Sequence, residues 1–144
     1  MDSVDVRVVK TAIDMAYNHP LNAASYIDAT RVGSVDLQNR NQIRAVFDRV
    51  RDKMTAEGVS DGDFSKADLT PLNHELIRAA LEASSSNPQT FLDFCSARTA
   101  HDIGDLSTVA KRCEEVAAKM AEVATLPAVE LEKTHTGERI RTPQ

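Results

Sequence analysis

An all-α fold, arranged as an antiparallel four-helix bundle, is predicted for this chain. Apolar residues recur at helical spacing in four separate segments, while the period-2 alternation of strands is almost absent. Proline, glycine and serine stand between the segments, so the connections are short and neighbouring helices bury their apolar faces most simply against one another.

The first segment carries Val6, Val9, Ile13 and Tyr17 on one helical face and stops at Pro20. A short second helix is expected from Pro20, with Leu21, Ala24 and Ile27 inward and Gly33 beyond it, the two pieces forming one bent N-terminal arm. Asp36 is the expected N-cap of the third helix, whose apolar face is Ile43, Val46, Phe47, Val50 and Met54 and whose stop is Gly58. "SDGDFS" at 60–65 is turn chemistry.

After Pro71, the residues Leu72, Leu76 or Ile77, Ala80 and Leu81 define a fourth helix that the "SSSNP" run at 84–88 should end. "PQTFLDFCSARTA" allows another turn or two of helix. Asp105 caps the most regular helix, on which Leu106, Val109, Cys113, Val116, Ala117, Met120 and Val123 share a face before Pro127. The helical bundle is therefore expected over 1–126, with a polar, unperiodic tail over 127–144.

The 144 residues fit one domain. Seventeen basic against 22 acidic residues give a net charge of −5, which argues against a protein that coats duplex DNA through phosphate neutralisation but leaves room for a local basic stripe. No stretch reaches the roughly 18 apolar residues of a membrane span. The N-terminal segment has no basic-then-apolar signal, so a soluble protein with no membrane partner is expected. Cys95 and Cys113 lie in different segments without a CxxC spacing and are read as free thiols in a reducing compartment.

Catalytic patterns are weak. His19, His74, His101 and His135 are scattered, with no spacing that puts two ligands on one metal, so no metal and no cofactor is expected. "KTHTGER" lacks the upstream cysteine pair of a zinc finger, and neither a glycine-rich phosphate loop nor a GxSxG elbow is present. The chain is not read as an enzyme.

The strongest local feature is "NRNQIRAVFDRVRDK" at 39–53, with four arginines and a lysine. Arg40, Arg44 and Arg51 share one side of the helix beside Phe47, while Arg49 and Lys53 lie further round. With Arg98, Lys111 and Arg112 they would make a groove between the third and last helices locally basic. Alternatively, Asp48, Asp52, Glu114 and Glu115 neutralise these cations on solvated faces.

Taken in order, "AYNHPLNAASYIDA" (16–29), "LQNRNQIRAVFDRV" (37–50), "SDGDF" (60–64), "LTPLNHELIRAALEA" (69–83) and "DLSTVAKRCEE" (105–115) resemble successive segments of the tobamovirus-type coat protein, the subunit of rigid rod-shaped plant viruses. The similarity spans about residues 8 to 115. It implies a bundle of the coat-protein type that self-assembles into discs and helical rods, packages single-stranded RNA, and resides in the virion or, before assembly, in the host cytoplasm. Carried over residue by residue, it implies RNA contacts at Arg44 on the third helix, at Arg98 in the connection before the last, and at Asp105, Val109 and Arg112 at the start of the last. Arginine forks suit phosphate oxygens, and an apolar helix side such as that of Val109 suits base faces. A second class of function, a small helical adaptor or assembly factor that binds a protein through an apolar bundle face, is also compatible with the residue pattern.

Overall fold

The computed structural model describes residues 3–33, 35–55 and 69–124. Among them there are seven α-helices, one 3-10 turn and no strand: α1 (Ser3–Asn18), α2 (Pro20–Ala24), the turn Ala29–Arg31, α3 (Arg40–Thr55), α4 (Pro71–Ser86), α5 (Pro88–Phe94), α6 (Ala97–Ile103) and α7 (Leu106–Ala124). The all-α expectation therefore holds for the described residues. Gly58, the 60–65 turn and the 127–144 tail lie outside them.

Helix α1 occupies the middle of the fold. Its buried face of Val6, Val9, Ala12, Ile13 and Ala16 is apolar apart from Asp5 at its N-terminal end, and Val8 and Met15 extend that face far enough for several neighbours to share it. Helix α3 covers one side of α1 and α4 another, α2 tucks against α3 and α4, and α7 lies chiefly along α4. The face of α3 is buried as the spacing predicts, at Ile43, Val46, Phe47, Val50 and Met54. From α4 and α7 come Leu76, Ile77, Ala80, Leu81, Val109, Cys113, Val116 and Met120, which complete one continuous core.

Two local expectations change. Leu21 is 51 % exposed: the five-residue α2 seats Pro20, Ala23 and Ala24 inward, and one turn of helix offers no second inward position to Leu21. Asp36 does not cap α3. Its carboxylate accepts from Gln38 N at 2.9 Å in a turn of its own, and the helix starts later, where Asn39 Oδ1 accepts from Asn41 N (3.1 Å) and Gln42 N (3.2 Å). The serine run ends α4 as expected, at Ser86 within 84–88. Ser84 Oγ donates to Ala80 O at 2.8 Å, so a polar residue sits satisfied inside the buried face and the helix runs on to Ser86.

The start of α4 is fixed by a reciprocal cap: Asn73 N donates to Thr70 Oγ1 and Thr70 N donates to Asn73 Oδ1, both at 3.2 Å, with Pro71 in the first turn. The possible extra turn after Pro88 proves to be two helices. Phe91 of α5 and Ile103 of α6 are buried, and Ser96 caps α6 by accepting from Thr99 N at 3.2 Å. This pair runs along α1: His19 meets the Phe94 ring edge-on at 5.9 Å, while Arg7 reaches Thr99 Oγ1 at 3.5 Å and Asp102 at 3.0 Å.

Candidate nucleic-acid interface

Two of the four arginines of α3, Arg44 and Arg51, turn towards α1. Tyr17 lies under both Arg51, whose guanidinium carbon is 4.0 Å from the ring centroid, and Arg44, at 4.9 Å. Arg44 Nε also donates to Tyr17 O at 3.4 Å, and Arg51 pairs with Asp48 at 2.8 Å and Asp14 at 3.6 Å. Burial would lower the Arg51 guanidinium, but hydrogen bonding and charge from Asp48, with Asp14 behind, hold it above its ordinary value. Two of the five cations in the 39–53 stretch thus fasten α3 to the last turn of α1. Arg40 and Arg49 are exposed.

Arg98 stands exposed on α6 and makes no hydrogen bond or ion pair among the described residues. Seven residues later Asp105 is the N-cap of α7, accepting from Thr108 N at 3.0 Å and from the Thr108 and Ser107 hydroxyls at 2.9 Å each. These bonds, the Thr108 amide first, hold its carboxyl below the usual range. An ionised cap is poorly suited to accept a phosphate, so Asp105 serves this site by fixing where α7 begins.

Arg112 is engaged inside the chain. Its Nε donates to Asp5 Oδ1 at 2.6 Å, and Lys119 Nζ donates to Asp5 Oδ2 at 2.9 Å, so two cations of α7 converge on one carboxylate of α1. Asp5 is only 3 % exposed. Burial alone would raise its carboxyl, yet the hydrogen bonds from Lys119 and Arg112 outweigh it and hold the group below its ordinary value.

Val109, expected to offer an apolar surface to bases, is 0 % exposed. Its side chain belongs to the core on the inward face of α7 together with Cys113 and Val116, and a base face has no access to it in this arrangement. The groove expected between the third and last helices is likewise not a seam of this fold, since α3 packs on α1 and α2 while α7 packs on α4. Arg44 contacts the Tyr17 end of α1 and Arg112 the Asp5 end, twelve residues apart, which is roughly 18 Å along the helix axis. Arg98, next to the Thr99 that meets Arg7, falls on the Asp5 side. The fold therefore brings Arg98, Asp105 and Arg112 to one region and leaves Arg44 at the other end of α1.

Sequence reasoning missed the buried acids. Asp5 lies on the same helical face as Val9, Ala12 and Ala16, and Glu75 sits between Leu72 and Ala79 on the inward stripe of α4; a carboxylate inside an apolar stripe is the signal that was there to be read. Glu75 accepts from Arg78 Nε at 2.8 Å and from Asp28 N at 2.8 Å, while Arg78 also donates to Tyr26 O at 2.8 Å and pairs with Glu82. This knot ties α4 to the segment after α2. Hydrogen bonding from Glu75, against burial, holds the Arg78 guanidinium above its ordinary value.

Burial pushes the Cys113 thiol up to about 12, with Cys95 and Glu114 adding to it, so Cys113 is an inert core residue. No group of His, Cys, Asp and Glu among the described residues is arranged to hold a metal ion, and no helix there is long and apolar enough to cross a membrane. No family model matches the chain, and neither a curated protein nor a solved structure matches it.

Proposed function

We propose that this chain is a structural coat subunit that self-assembles into helical rods and packages single-stranded RNA, its four long helices α1, α3, α4 and α7 forming an antiparallel bundle of the tobamovirus coat type. The ordered resemblance of five segments motivates the reading. The observation that carries it is Arg98, exposed on the short helix directly before the Asp105-capped start of α7 and without an ion pair among the described residues. An uncompensated guanidinium beside a fixed helix start offers two or more donors to a phosphate without first breaking an internal contact.

In this reading Arg98 makes the first phosphate contact and Arg112 a second, conditional one, while Arg44 supports the α1–α3 seam and reaches RNA only through its outer edge. Bases are held by surfaces other than Val109. A protein-binding adaptor has less support, because Leu21 and Leu106 alone among the described residues are large hydrophobics in exposed positions, too few for an apolar docking face. The same polarity makes side-by-side assembly polar-mixed.

The test is R98A. RNA packaging should fall and the salt dependence of RNA binding should flatten by roughly 0.7 in slope, the single-strand value for one lost contact. RNA-free discs should still form. Wild-type packaging with an unchanged slope would reduce Arg98 to a solvated charge.

A further inference from the structure

Two cations reach from the edge of α7 onto one buried carboxylate: side-chain exposure is 28 % for Arg112 and 52 % for Lys119, against 4 % for Asp5. An anion arriving from solvent meets the cations before it meets Asp5. A carboxylate and a phosphate present the same acceptor oxygens to a guanidinium, so either can satisfy Arg112. Asp5 lies in the first turn of α1, where helices open at little cost, but it cannot stay buried once Arg112 is withdrawn, because an under-compensated buried carboxylate is strongly unfavourable.

We propose that Asp5 is an internal competitor for an RNA phosphate at Arg112, so that RNA engages Arg112 only as the first turn of α1 is released from α7. The inference rests on the RNA-packaging reading and adds its regulation. Free subunits keep Arg112 occupied and bind RNA weakly; the strand gains the second phosphate contact at the expense of the α1–α7 clasp.

The experiment measures binding of a fluorescent oligouridine to full-length protein over a salt series for wild type, D5N, D5N/R112A and, as a control for simple charge removal, D14N. In D5N both Arg112 and Lys119 lose the Asp5 carboxylate, and the salt slope should steepen by roughly 0.7 for each cation that gains a phosphate, equivalent to about fivefold tighter binding per contact at 0.1 M salt. D5N/R112A should lose Arg112's share of that gain, keeping at most what Lys119 contributes, and D14N should leave the slope unchanged. If wild type binds but D5N shows no steeper slope, or keeps its whole gain in the double variant, the competition at Arg112 is refuted while RNA binding stands. If neither protein binds the oligomer, the RNA-packaging reading itself fails. Should D5N prove unfolded by circular dichroism, hydrogen exchange of wild-type amides 6–9 decides: RNA should accelerate it, and unchanged or slower exchange overturns the proposal.

Discussion

At the residue scale, the side chains that hold this protein together are polar groups placed where the apolar pattern has no room for them. Glu75 is 1 % exposed and is balanced by Arg78 three residues on. Glu75→Ala therefore leaves the Asp28 amide without its acceptor and the Arg78 guanidinium with only Tyr26 O and Glu82, and should cost about 3 kcal/mol, read as a lower denaturant midpoint; a loss under 1 kcal/mol would show that the knot is only decorative. His74 and Asp5 set the acid limb of stability. Burial lowers His74, against the bond from its Nδ1–H to Thr70 O, so the folded state resists a proton that the unfolded chain accepts below about pH 6.5. The lowered carboxyl of Asp5 adds stability that is present above the ordinary carboxylate value near pH 3.9 and is lost as pH falls through its folded value. Both effects have the same sign. Melting temperature should decline below about pH 6.5 and again below about pH 4, and H74N should remove the first decline only.

At the scale of elements, the inward faces of α3, α4 and α7 were legible in the sequence because a 3.6-residue period identifies a buried stripe whatever it packs against. Phe47 illustrates this: read from spacing, it is fully buried, and Phe47→Ala should cost ~3–5 kcal/mol by thermal or chemical unfolding. Caps were less legible. Asp36 and Asn39 are equally good capping residues, and only the turn that consumes the Asp36 carboxylate decides between them. The pairing of Arg112 with Asp5 joins residues 107 positions apart, and no local rule points from one to the other. Similarly, a helical wheel shows that Arg44 and Arg51 share a side but not that the side faces Tyr17. The candidate residues could thus be named from the sequence but their partners could not, and Val109, which spacing puts on the inward face of the last helix, was set against bases only by the resemblance.

At the scale of the whole molecule, a single core shared by α1, α3, α4 and α7 leaves a surface almost free of large apolar side chains among the described residues. A coat subunit of the proposed kind would associate through polar-mixed flanks, so its assembly should respond to salt and pH more than a hydrophobic interface would. Deleting residues 130–144 should leave discs intact in sedimentation; loss of all oligomers would make the tail part of the interface. The most direct measurement is negative-stain microscopy of the purified protein at mildly acidic pH with and without single-stranded RNA. Discs or short rods alone, and longer rods with protected RNA inside when the strand is added, are the predicted result. Particles that stay the size of one or two subunits under both conditions would contradict a coat protein.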